Sequence, residues 1–138
     1  MNLNSNSEQI VSEIINIYSD ISSDSLKKII SSLDIKKYPP NYYFINQGRP
    51  EENEYFLFEG IVRSNLFTKK GEDITISFYY EKRVLPPHSS RTLDGISTLN
   101  YQSITPVTLG IINASNFRYL MRENPDIYRF ASSVMAAE

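Results

Sequence analysis

Residues 44–80 read FINQGRPEENEYFLFEGIVRSNLFTKKGEDITISFYY. Gly48, Gly60 and Gly71 divide this stretch into short apolar runs of strand length. Between Val62 and Tyr80 the order VRSNLFT, KKGE, DITISFYY predicts a β-hairpin, with Gly71 supplying the positive φ of its loop. In the second arm Ile74, Ile76, Phe78 and Tyr80 alternate with Thr75, Ser77 and Tyr79, the period of a strand with one buried face. The apolar set is expected to point inward. Gly60 is read as a bulge or a close approach of two backbones. Glycine-cornered antiparallel strands of this kind predict a mainly β chain with flanking helices, closed as a jelly roll or small barrel.

Upstream, Ile10, Val11, Ile14, Ile15, Ile17 and Tyr18 fall at helical spacing, with Ser7 read as the N-cap and Met1 to Ser7 as frayed. Asp20 to Ser25 reads as a linker ending in a second cap. Leu26, Ile29, Ile30 and Leu33 then repeat at i, i+3, i+4, i+7, a short amphipathic helix. Strands are expected at 35–38, 41–46, 54–58, from Ile61 on, 101–105 and 107–112, and an irregular Ser/Pro-rich segment at 84–100. Phe117, Leu120 and Met121 mark a helix that stops before Asn124-Pro125, and another begins at Asp126. The reading is one domain over 1–138: helices in 1–33, a β-roll in 34–112, helices in 113–138. Glu138 carries no stop signal, so the last helix is expected to be cut short within a longer polypeptide.

The bulk numbers close off several classes. A chain of 138 residues with 41% hydrophobic and 22% charged residues builds one ordinary core. A net charge of −2 does not call for nucleic acid or an anionic membrane surface. With no cysteine, disulfides, zinc-thiolate sites and cysteine nucleophiles are excluded. No apolar run reaches the roughly 18 residues of a membrane span, and the polar start is no signal peptide, so a cytoplasmic protein is expected. The single histidine, His88, cannot build a cupin-like metal site. No cofactor is called for. The acidic run Glu51-Glu52-Asn53-Glu54 reads as a solvated turn rather than a calcium loop. The tyrosines fit sheet faces better than base stacking, because no basic residues interleave with them.

Taken in order, Ser23-Asp24-Ser25-Leu26 with KKIISSLDIKKYPPNYYFINQG, then YFLFEGIVR over 55–63, KGEDIT over 70–75, and Phe117 to Asp126 ending Glu-Asn-Pro, resemble the sensor domain of the Crp/Fnr family of bacterial transcription regulators. The resemblance spans about residues 20–138. It implies a cyclic-nucleotide-binding-like jelly roll, a terminal helix that pairs two subunits, and a DNA-binding helix-turn-helix domain further on that this chain lacks.

In members of that family that bind cyclic nucleotides, a Gly-Glu pair on a short helix and a later Arg hold the ribose and the phosphate. Here Leu85-Pro86-Pro87-His88 stands where Gly-Glu-Leu is expected, and prolines remove amide donors. The Arg position falls near Tyr101-Gln102-Ser103, without a cation. The cassette is degenerate, and cyclic AMP is disfavoured as ligand. His88, Ser89, Ser90, Arg91 and Thr92 form a compact polar cluster that either holds a small anion or is a loop in which Arg91 pairs with a nearby carboxylate. Nothing brings Asp94 to orient His88 for catalysis, and no enzyme is expected. Ile127, Phe130, Ala131 and Val134 make an apolar stripe that either packs on its own barrel or pairs with a second copy, giving a homodimer. The functional expectation is an effector-sensing and dimerisation domain working by allostery. The alternative is a β-roll interaction module that has lost its ligand.

Overall fold

The structure is a computed structural model and describes residues 5–137. Helix α1 (Ser5–Tyr18) buries Ile10, Val11, Ile14 and Ile15 on one stripe. Ser7 lies inside this helix rather than capping it, and residues 1–4 of the segment expected to fray fall outside the described residues. Helix α2 (Ser23–Ser32) is capped by Ser22, whose hydroxyl accepts the Ser25 N–H at 3.1 Å. Ser25, at the end of the expected linker, is therefore in the first turn. Its hydroxyl donates to Asp126 Oδ1 at 2.7 Å, and the Ser22 N–H donates to Asp126 Oδ2 at 2.9 Å. One carboxylate thus joins the start of α2 to the start of the last helix.

Strands β1 (Asp34–Tyr38), β2 (Tyr43–Ile45), β3 (Asn53–Glu59), β4 (Ile61–Phe67), β5 (Asp73–Tyr80), β6 (Arg83–Val84), β7 (Asn100–Ser103) and β8 (Val107–Asn113) form two four-stranded antiparallel sheets. Their orders are β1-β8-β3-β6 and β2-β7-β4-β5. Between them pack Ile45, Tyr55, Leu57, Val62, Leu85, Tyr101, Val107 and Leu109. The expectation of a closed roll is corrected here: the two sheets face each other but do not join into a barrel. The physical cause is at β6, which is two residues long. Pro86 and Pro87 follow almost at once and cannot donate to a ladder.

Strand β3 explains why YFLF is apolar without a break. Tyr55 and Leu57 face the inter-sheet core, while Phe56 and Phe58 pack under the helices. The helical layer is completed by α3 (Ala114–Glu123), capped by Asn113, and α4 (Pro125–Ala136), begun by a proline at its first position.

Strand β5 reverses the sequence expectation. Ile74, Ile76, Phe78 and Tyr80 are 42–58% exposed, and Ser77 and Tyr79 are the more protected set. Alternation shows that two faces differ but does not say which is inside. The register decides it: Tyr79 lies opposite Val62 and Ser77 opposite Ser64, with a bulge next to Ser64 and Asn65. Tyr79 stacks on buried Tyr101 with ring centroids 6.0 Å apart. Phe78→Thr should therefore change stability by no more than about 0.5 kcal/mol, whereas Tyr79→Ala should cost about 2 kcal/mol or more. Urea unfolding of the two variants measures both, and the opposite ranking would reinstate the inward apolar face.

Candidate functional site

After β6 the backbone stays pinned to the sheet, because the Leu85 N–H donates to the Tyr55 carbonyl at 3.0 Å. A 3-10 turn then runs from Pro87 to Ser90. Its first residue carries no N–H, and neither does Pro86 before it, so its start offers few amide donors to an anion. Tyr101 closes the space beneath, its hydroxyl donating to the Pro86 carbonyl at 3.2 Å. Leu85 fills the inter-sheet core at 0% exposure, while Leu93 is fully exposed on the following loop. The region between the sheets is thus occupied by the chain's own side chains.

Of the polar cluster, Arg91 has the best-defined role. Its Nη2 donates to both carboxylate oxygens of Glu54, at 2.6 and 3.0 Å, and its Nη1 donates to the carbonyls of Glu51 and Asn53, both at 3.3 Å. The side chains of Arg91 and Glu54 are 14% and 15% exposed. Burial pushes the Glu54 carboxyl above the usual carboxylate range, against the opposing pull of the Arg91 guanidinium. Burial, helped by the nearby charge of Arg91, holds the His88 imidazole below its ordinary value. Ser89 and Ser90 turn their hydroxyls onto the carbonyls of Pro86 and Pro87. Thr92 organises the tight 92–96 loop, accepting the Ile96 N–H on its hydroxyl at 3.1 Å.

The acidic run is not the solvated turn that its composition implies. Glu51 is 9% exposed and accepts from the Asn53 N–H and the Tyr55 hydroxyl, both at 2.9 Å. Glu54 is held by Arg91, leaving Glu52 to water. The partner of Glu54 comes from 37 residues away, a distance that no local pattern reports.

On the helical side of β3 lies a cleft of about 200 Å³. Glu54, Phe56, Val84 and Leu85 form its sheet wall, and His88 and Arg91 its turn wall. Helix α3 contributes Ala114, Phe117, Arg118 and Met121, and α4 contributes Phe130, Ala131, Val134 and Met135. Two groups that the sequence treats separately, the 88–92 cluster and the 127–134 stripe, meet here. Ile127, Phe130 and Val134 are 0–5% exposed within this one chain, in the same core cluster as Phe56 and Phe117. Ala131 is only partly buried, and its small side chain leaves the opening. From sequence Phe117 and Met121 mark a helix only, and Ala114 and Arg118 carry no expectation. The available signal was the pairing of Met121 and Met135, adaptable side chains on two consecutive helices.

Among the described residues, no cluster of three or more His, Cys, Asp or Glu side chains converges to hold a metal ion, and no helix is long and apolar enough to cross a membrane.

No family model matches the chain, and no curated protein matches it in sequence. Solved structures do match its shape. The sensor domain of the transcriptional regulator DNR from Pseudomonas aeruginosa superposes with a TM-score of 0.79 at 15% identity, covering 94% of this chain and 86% of that one. The Thermus thermophilus catabolite activator protein gives 0.73 at 16%, covering 88% and 56%. The regulatory domain of Toxoplasma gondii PKA, crystallised with cAMP, gives 0.76 at 12%, covering 86% and 46%. The chain spans about half the length of the latter two. At these identities the likeness is one of fold: two antiparallel sheets with flanking helices, an arrangement shared with these solved structures.

Proposed function

We propose that this chain is a non-catalytic sensor domain of the Crp/Fnr-like kind, in which occupancy of the helical-side cleft sets the position of α4. One observation carries this reading: a single cleft is walled both by the 88–91 turn, where related folds carry a ligand cassette, and by α4, the element through which a following segment would be driven. A small molecule there would favour one packing of α4 over another, and only that difference in affinity would be transmitted. In this reading a DNA reader attached beyond α4 receives the signal, and a second copy pairs through the exposed side of α4 that carries Tyr128, which is 61% exposed. In this reading the inward stripe of Ile127, Phe130 and Val134 serves the chain's own core, where the three side chains pack.

The native chain has no cysteine, so spin labels can be placed without background. Labels on Ser132→Cys in α4 and Lys69→Cys in the β4–β5 hairpin report the helix against the sheet. Ala131→Leu serves as a surrogate ligand by filling the cleft. The expected result is a displacement of the inter-label distance by about 1–2 Å, the scale of helix shifts in switching proteins. An identical distance distribution with and without the leucine would refute the reading.

A further inference from the structure

The chemistry of the cleft narrows what it binds, and the argument rests on the reading of that cleft as the effector site. Apart from Glu54, His88, Arg91 and Arg118, every residue lining it is apolar. Glu54 and Arg91 neutralise each other through a two-pronged contact, so they leave no net charge facing the space. The lowered pKa of His88 keeps its ring neutral near pH 7. Arg118 is exposed at the rim, with its Nη2 donating to the Ser115 hydroxyl at 3.1 Å on the same helix, so water screens most of its charge, and the part that reaches the cleft acts on the Glu54 carboxylate. A cationic ligand entering here would give up its hydration without gaining a counter-charge, and an anionic one would find only the water-screened Arg118 at the rim.

Size sets the second bound. An apolar cavity of about 150 Å³ holds benzene. A cleft of about 200 Å³ therefore holds one ring bearing one or two carbons, or an aliphatic body of similar bulk. Met121 and Met135 stand at the accessible side of the space, the first partly buried and the second 63% exposed. Unbranched thioethers there can move aside and re-pack around a guest.

We propose that the cleft between the 88–91 turn and helices α3 and α4 is a binding site for a small uncharged apolar molecule, of single-ring size.

The chain contains three methionines, Met1, Met121 and Met135, and two of them line the cleft. Methyl-¹³C-methionine NMR of the whole chain therefore reads the site directly, with toluene as the probe. The Met121 and Met135 methyl signals should shift saturably. Benzoate and benzylammonium, of the same shape but charged, should bind at least about tenfold more weakly. Ala131→Leu should weaken toluene binding by about tenfold or more, with Ala114→Leu as a second filling variant should the first fail to fold. Failure to saturate those two signals, charged analogues within threefold of toluene, or undiminished binding in a folded filled variant would each overturn the assignment. Saturable binding with no movement of α4 in the spin-label measurement would keep the ligand class and remove the sensor reading. A moved helix in Ala131→Leu without toluene binding would do the reverse.

Discussion

Arg91→Met is expected to destabilise the protein by about 3–5 kcal/mol, because it strands the Glu54 carboxylate in a buried site without its counter-charge. For a domain whose whole stability is about 5–15 kcal/mol, that is a large fraction, equivalent to a fall of about 10–20 °C in Tm. The same change also removes the donor to the carbonyls of Glu51 and Asn53, which Arg91 holds at the start of β3. The loss should depend on pH with a definite sign. Burial already raises Glu54 above its ordinary carboxylate value, so the folded state holds the proton more tightly than the unfolded state. Stability from this group is therefore highest at low pH and falls as pH climbs from the unfolded value, about 4.3, through the raised folded one. Without Arg91 that window widens upward. The deficit of the variant should be largest at pH 7 and should shrink towards pH 5. Replacing both members, Arg91→Met with Glu54→Leu, should recover most of the loss, since an apolar pair needs no hydration replaced. Urea denaturation across that pH range measures all three effects. A deficit that grows on acidification would show that Glu54 is not the group left unpaired.

The corner between β3 and β4 should be as sensitive. Gly60→Ala is expected to cost about 2–5 kcal/mol, from about 1–2 kcal/mol for the left-handed backbone and about 1–3 kcal/mol for overpacking. Gly60 has φ +99°, and an added Cβ would clash with the Pro106 carbonyl and lie 2.8 Å from Val107 Cγ1. The neighbours cannot yield cheaply. Thr105 accepts the Ile61 N–H at 2.9 Å, and Val107 is part of the core between the sheets. Gly71→Ala is the matched control. Its φ is +84° but nothing lies within 4 Å of the added atom, so only the backbone penalty of about 1 kcal/mol applies. Equal thermal shifts for the two alanines would mean that the corner is looser than this packing.

Local chemistry was enough to read much of the fold. Gly71 at the hairpin loop, the break between α3 and α4 at Asn124-Pro125, and the helical stripes of Ile10 to Ile15 and Ile127 to Val134 each follow from residues a few positions apart. So does the loss of amide donors at Pro86 and Pro87. What stayed hidden depended on partners distant in sequence. The destination of Arg91 could not be read because its carboxylate sits 37 residues upstream, within a run that looks solvent-exposed. Gly110 drew no attention, yet Phe58 lies over it so closely that a Cβ would come within 2.7 Å of the ring.

From sequence alone come the two-helix, strand-rich, two-helix order and the tight glycine corners, since each is a property of backbone dihedrals or periodicity. Tertiary structure decided which face of β5 turns inward, that the sheets stop short of closure, and that the 88–92 cluster and the α4 stripe share one cleft. Those outcomes come from register and from packing between segments far apart in the chain, where the same alternation of apolar and polar residues is compatible with more than one arrangement.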